Sequence, residues 1–178
     1  MVDFRGTVME LSVHEAAKRL GEVFPFSLSQ ELGTITYCGR QLAFKGPAKA
    51  RGTVSGDGGG FTVEGCGEVV FLSRCARCNE PFEEPFSFTF RERFVRPGMA
   101  GKEEECYPYE GDTLELRDAY LDNLLLQMPL VSLCREDCRG LCPICGINLN
   151  RGRCRCTETN RSNPFDVLRT LSFENKEV

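Results

Sequence analysis

The chain has 178 residues, 41% of them hydrophobic and 27% charged, a globular composition that excludes a disordered chain. No stretch reaches the ~18 uninterrupted apolar residues that a membrane span needs. The net charge of −4 gives no general attraction to nucleic acid.

The first twenty residues are broken by acids and bases and hold no signal-peptide core, so a cytoplasmic location is expected. Ser12 and Glu15 fit a capping box, which predicts a short helix through Leu20 with Gly21 as its stop. The single histidine, His14, falls in the first turn and reads as a partly exposed polar residue. From Gly33 to Phe94 the pattern turns to β. Thr34 to Tyr37 and Ala48 to Val54 are candidate strands, and Gly56 to Gly60 is a glycine-rich turn. Phe61 to Arg74 supplies one long strand or two. Phe86, Phe88, Phe90 and Phe94 alternate with polar residues, which predicts a strand with one aromatic face turned to the core.

Arg96 to Gly111 carries two Pro, three Gly and three consecutive Glu and reads as a solvated linker. Asp112 and Glu115 form a second capping box. Leu114, Leu121, Leu124, Leu125 and Met128 then share roughly one helical face, and Pro129 ends the helix. Strands first and a helix after them predict an α+β fold: a mostly antiparallel sheet covered by a helix, then a Cys-rich zinc-knuckle segment and a short terminal helix. Asn163 and Pro164 start that last helix, with Phe165, Leu168 and Leu171 on one face. The divisions expected are residues 1–32, an N-terminal helix/strand segment; 33–130, the α+β core; and 131–178, the metal-binding tail.

Eleven cysteines, an odd number, cannot all pair as disulfides, and one histidine leaves no Ser-His-Asp or Cys-His set unless His14 supplies it. Thiols, metal or redox chemistry remain. Cys142-Pro143-Ile144-Cys145-Gly146 has the form of a zinc knuckle, two thiolates on one ion with a glycine relieving the backbone. Cys134 and Cys138 stand upstream, Cys154 and Cys156 downstream. Six thiols exceed one zinc and fall short of the eight that two separate sites need. The preferred quartet is Cys134, Cys138, Cys142 and Cys145, with Cys156 as substitute. A second C-x2-C pair, Cys75 and Cys78, reads as a turn, a redox pair or half of a metal site that could include Cys154 and Cys156. Cys38, Cys66 and Cys106 read as ordinary small residues.

Charge is uneven. Cys134 to Arg169 holds seven Arg against four acids, a net of +3 that leaves −7 for the remainder, and Glu103 to Asp122 holds eight acids and one Arg. Arg135, Arg139, Arg151, Arg153 and Arg155 surround the cysteines. They are candidates for RNA contact, since loops rigidified by metal can present Arg to phosphates, and equally for a solvated basic rim. There is no P-loop, dinucleotide fingerprint or H-E-x-x-H motif.

The C-x-R-C at Cys75 to Cys78 followed by Pro81-Phe82, Met128-Pro129-Leu130, the segment Gly140 to Asn150, and Asn163 to Leu168 occur in this order. Together they resemble the YceD family, bacterial and plastid proteins associated with accumulation of large-subunit ribosomal RNA. The six-cysteine array resembles the branch of that family that carries metal. The resemblance implies a non-catalytic factor in 23S ribosomal RNA processing or large-subunit assembly, with structural zinc, no known active site and no small-molecule substrate. Its partners would be ribosomal RNA, ribosomal or assembly proteins, or both, and no membrane. The alternative function is a redox-controlled zinc-binding interaction protein. A thiolate-bound metal hydrolase is a third reading, disfavoured because all-thiolate zinc is usually closed.

Overall fold

A computed structural model describes residues 8–37, 39–98 and 106–156. Its elements are β1 (Glu10–Ser12), α1 (His14–Lys18), β2 (Val23–Gln30), β3 (Ile35–Tyr37), β4 (Arg40–Leu42), β5 (Ala48–Gly56), β6 (Gly60–Arg74), β7 (Pro81–Val95), β8 (Tyr107–Pro108), β9 (Thr113–Glu115) and α2 (Arg117–Gln127). The chain divides into two compact units, residues 1–138 and 139–178. No helix among the described residues is long and apolar enough to cross a membrane.

The first unit is built on a five-stranded sheet in the order β2-β5-β6-β7-β8, antiparallel except for the short β7–β8 pair. Its spine is the hairpin of β6 and β7, fifteen residues a side, paired from Gly60 opposite Val95 to Arg74 opposite Pro81. The aromatic row holds: Phe88, Phe90 and Phe94 are buried and Phe86 is half-buried against the same cluster. Phe61 to Arg74 is one strand. Gly52 and Gly65 face each other between β5 and β6, where a Cβ on either would strike the opposite backbone. Gly67 leaves room for the rings of Phe88 and Tyr120; a Cβ there would lie 2.8 Å from the Tyr120 ring and closer to Phe88.

Helix α2 lays Ala119, Tyr120, Leu121 and Leu124 into this core. The Tyr120 ring meets Phe88 edge-on at 4.8 Å between centroids, and its hydroxyl donates toward the carbonyls of Lys49 and Glu68, 3.2 Å from each. The Gln127 side chain closes part of the outer edge of β7, its amide nitrogen donating to the Thr89 carbonyl at 2.7 Å. An edge strand satisfied in this way offers fewer free groups to another chain.

Both capping boxes fail. Ser12 lies in β1, and α1 starts after Val13 with no side-chain cap. Thr113 to Glu115 is strand β9, which pairs with β1 and sets Leu114 opposite Leu11; α2 begins only at Arg117. Tertiary pairing has taken the residues that the local pattern assigned to helix starts. Part of the linker is also ordered, because Tyr107 and Pro108 pair with Phe94 and Val95. The terminal helix lies outside the described residues.

Candidate metal centres

Eight of the cysteines form two groups of four, and within each group all sulfurs lie within 4.8 Å of one another. The first is Cys75, Cys78, Cys134 and Cys138. The second is Cys142, Cys145, Cys154 and Cys156. The predicted quartet of Cys134, Cys138, Cys142 and Cys145 is therefore divided between two groups. Cys75 and Cys78 join Cys134 and Cys138, and it is Cys142 and Cys145 that gather with Cys154 and Cys156.

The first group sits at the tip of the β6–β7 hairpin. Cys75 directly follows β6, and its N–H donates to the Glu80 carbonyl at 3.0 Å while the Asn79 N–H donates back to the Cys75 carbonyl at 2.8 Å. Asn79 adopts φ +57°, a left-handed turn position that Asn tolerates. The second pair arrives after α2 and is fastened by backbone contacts. The Ala76 N–H donates to Ser132 at 2.9 Å, and the Arg77 guanidinium donates to the carbonyls of Glu136 and Cys138 at 2.9 and 3.0 Å. Cys75, Cys78 and Cys138 are buried with Phe82 and Leu133 around them. Sγ of Cys75 lies 3.7 Å from that of Cys138, and Sγ of Cys78 lies 3.8 Å from that of Cys134. Sulfurs bound at ~2.3 Å around a tetrahedral ion stand ~3.8 Å apart, which is the spacing found.

The second group is local. Cys142 and Cys145 flank a turn closed by Gly146 N–H to the Cys142 carbonyl at 2.8 Å, with Gly146 at φ +72°. The Ile144 N–H points at the Cys142 sulfur from 3.5 Å. Asn148 and Asn150 tie the returning chain: Asn150 Oδ1 accepts from the Arg139 N–H, and Asn148 Oδ1 accepts from the Asn150 N–H. Cys142 is buried, Cys154 half-buried, and Cys145 and Cys156 are exposed.

In each group one thiol is held low and at least one is held high. Backbone N–H groups, that of Cys134 foremost, bring Cys75 down to about 6, and those of Cys145 and Ile144 do the same for Cys142. Burial raises Cys134 to about 12, and the neighbouring Cys145 thiol raises Cys156 to about 12. Four sulfurs this close cannot all ionise without a cation among them. Four thiolate donors at this spacing fit a soft, tetrahedral divalent ion.

A model of the family described as large ribosomal RNA subunit accumulation protein YceD matches residues 63–172. The chain belongs to the YceD family. The match takes in both cysteine groups and the hairpin and helix that carry the first. This YceD chain is also 32% identical over 94 residues to uncharacterized proteins of Mycobacterium bovis and Mycobacterium tuberculosis, covering 51% of the chain and 45% of theirs. An uncharacterized protein of Mycobacterium leprae is 32% identical over 91 residues, 49% of this chain and 42% of its own. The chain thus spans less than half the length of these curated relatives. No solved structure matches it.

The five candidate arginines fall in different surroundings. Arg135 is in the first unit and pairs with Asp137 at 3.3 Å. Arg139, Arg151, Arg153 and Arg155 are exposed in the second unit. Cys66 and Cys106 are half-buried and belong to neither group, and Cys38 is outside the described residues. The missed signal was arithmetic. Cys75 and Cys78 added to the six tail thiols make eight, in four close pairs.

Proposed function

We propose that this chain is a non-catalytic cytoplasmic factor supporting 23S ribosomal RNA accumulation and large-subunit assembly, that both cysteine groups hold structural zinc, and that segment 139–156 touches the RNA. The observation that carries the RNA contact is charge placement. Segment 139–156 exposes four arginines and contains no Asp or Glu, in a chain whose net charge is −4. Four thiolates around a divalent ion carry −2, so the loaded segment still carries +2. The family's description supplies the class of RNA.

Zinc is the ion that four thiolates select by softness and geometry, and four protein ligands leave no position for substrate. That supports a structural role over hydrolysis. His14, the one histidine, is exposed and within 3.0 Å of Asp112 rather than beside a thiol, which also favours a non-catalytic reading. In the cytoplasm thiols stay reduced and available to metal.

The test is RNA binding by the zinc-loaded chain across salt concentrations, using 23S fragments recovered by crosslinking in cells. Removing one phosphate contact lowers the salt slope by ~0.7–0.9. Replacing Arg151, Arg153 and Arg155 with Ala should lower it by ~2 and weaken binding at least about tenfold. An unchanged slope would move the RNA contact off this segment.

A further inference from the structure

Helix α2 uses one side for the core and leaves a second side for something else. Asp118, Asp122, Leu125 and Leu126 fall within a ~100° arc of the helix. None of the four is buried, and Leu126 is 84% exposed. Two leucines beside two aspartates are poorly matched to water alone. Asp118 and Asp122 are also like charges at i,i+4, which costs a helix a few tenths of a kcal/mol. Neither feature serves the buried core, which already holds Leu121 and Leu124.

This side of α2 borders a groove of about 520 Å³. Tyr37 of β3, Tyr107 of β8, Leu125 and Leu126 supply its apolar and aromatic wall, and Glu92 of β7 and Asp122 supply carboxylates. Among the described residues, no Lys or Arg lines it. The Tyr107 hydroxyl donates to Asp122 at 2.8 Å, and the Asn123 amide donates to Glu92 at 2.6 Å, so both carboxylates are held in place. Burial raises the ionisation of Tyr107 strongly, and Asp122, Glu92 and Asp118 all add to the rise. Three negative groups thus act on one point inside the groove.

Such a groove repels a phosphate backbone and suits a cation on an aliphatic stem. Arg and Lys side chains lay their methylenes on apolar surface and their charge on carboxylates or tyrosine faces. We infer that this groove is a docking site for a Lys/Arg-rich segment of a partner protein that also carries aliphatic side chains, cations on Glu92 and Asp122 and apolar groups on Leu125, Leu126 and Tyr37. The inference does not rest on the RNA contact of residues 139–156, and either can fail alone.

The experiment uses the zinc-loaded full chain and a fluorescein-labelled twelve-residue peptide built of Leu-Lys-Arg repeats, followed by anisotropy. The controls are a peptide of equal charge with Gly in place of Leu, and spermine. The Leu-containing peptide should bind at least tenfold more tightly than the Gly peptide, and spermine should compete weakly. Glu92→Gln with Asp122→Asn should weaken it at least tenfold. These swaps keep the size of each side chain and an oxygen to accept from Tyr107 and Asn123. Leu126→Ser, at a site too exposed to affect folding, should weaken it about threefold or more. Amide shifts on titration should concentrate at Tyr107 and from Asp118 to Leu126. Equal affinity in both variants would overturn the assignment. So would equal binding of the Gly peptide, or full competition by spermine, either of which reduces the groove to general attraction for polycations.

Discussion

The two cysteine groups have the same four donors and opposite settings. The first joins pairs more than fifty residues apart in sequence and is packed against Phe82 and Leu133 at the end of a hairpin that is already hydrogen-bonded along its length. The second spans fifteen residues, and three of its four sulfurs are at least partly exposed. Among the described residues of the second unit, only Gly140 and Cys142 are buried, and Leu141, Ile144 and Ile147 face solvent. A tetrathiolate can thus lock a fold that hydrophobic burial has already made, or stand in for a core that the segment lacks. The sheet of the first unit should outlast its metal, whereas the described segment of the second should not.

Cys142→Ser and Cys138→Ser break that comparison most directly. Native mass spectrometry should find two zinc ions on the parent chain and one on each variant. Apparent zinc affinity in small metal-folded peptides is on the order of 10–16 kcal/mol, and it serves as folding free energy. In Cys142→Ser, amide protection from residue 139 to 156 should therefore collapse, with the β5–β6–β7 sheet unchanged. In Cys138→Ser, protection should drop at the hairpin tip from Arg74 to Pro81 and at residues 132–138, and persist at Phe88 to Phe94. A protected 139–156 segment without metal would sink the contrast.

The converse change strikes a hydrophobic contact and spares the thiols. Gly67→Ala puts a methyl group into the Phe88 and Tyr120 rings and strains the two hydrogen bonds of the Tyr120 hydroxyl. Overpacking of this kind costs about 1–3 kcal/mol. The urea midpoint of the first unit should fall accordingly, and the zinc held by the Cys142 group should be retained. Loss of that zinc together with the sheet would mean that the segment draws its stability from somewhere other than its metal.

The parts of this chain legible in its sequence are those set by short-range pattern. The alternating Phe row marked β7, the glycine run marked the β5–β6 turn, and Pro129 marked the end of α2. The features that escaped such reading were decided at long range. Val23 to Gln30 alternates Phe24, Phe26 and Leu28, and Pro25 disguises it; on an edge strand one missing N–H costs little. The Asp112–Glu115 pattern promised a helix start, but Leu114 is fully buried through pairing with β1. Sequence proximity drew Cys134 and Cys138 toward Cys142, whereas the chain path after α2 carries them to a hairpin tip more than fifty residues upstream. The number of thiols was readable; their partition needed the path of the chain.

The smallest expected effect sets the two ends of β6 against each other. One end closes through thiols. The other closes at Asp57, whose carboxylate accepts from the Gly59 and Gly60 N–H groups, each at 2.9 Å, and from Arg93 at 2.8 Å. Arg93 first, then these N–H groups, hold Asp57 below its ordinary value of 3.8. A carboxyl depressed by folding contributes stability above pH 3.8, and that contribution disappears as pH falls through the lower folded value. With zinc bound as proposed, the thiol end should respond sooner on acidification, because protons compete with the ion for thiolates whose ordinary value is 9.0. Asp57→Asn keeps one acceptor oxygen and removes the charge, so it should cost about 0.5 kcal/mol at neutral pH, the scale of an exposed ion pair. Urea midpoints of parent and variant should differ at pH 7, differ equally at pH 5 even where zinc has begun to leave, and converge only as pH falls from 3.8 through the lower folded value of Asp57. A gap that closed along with zinc release would couple the two ends of the strand, and the hairpin would then be a single unit governed by its metal.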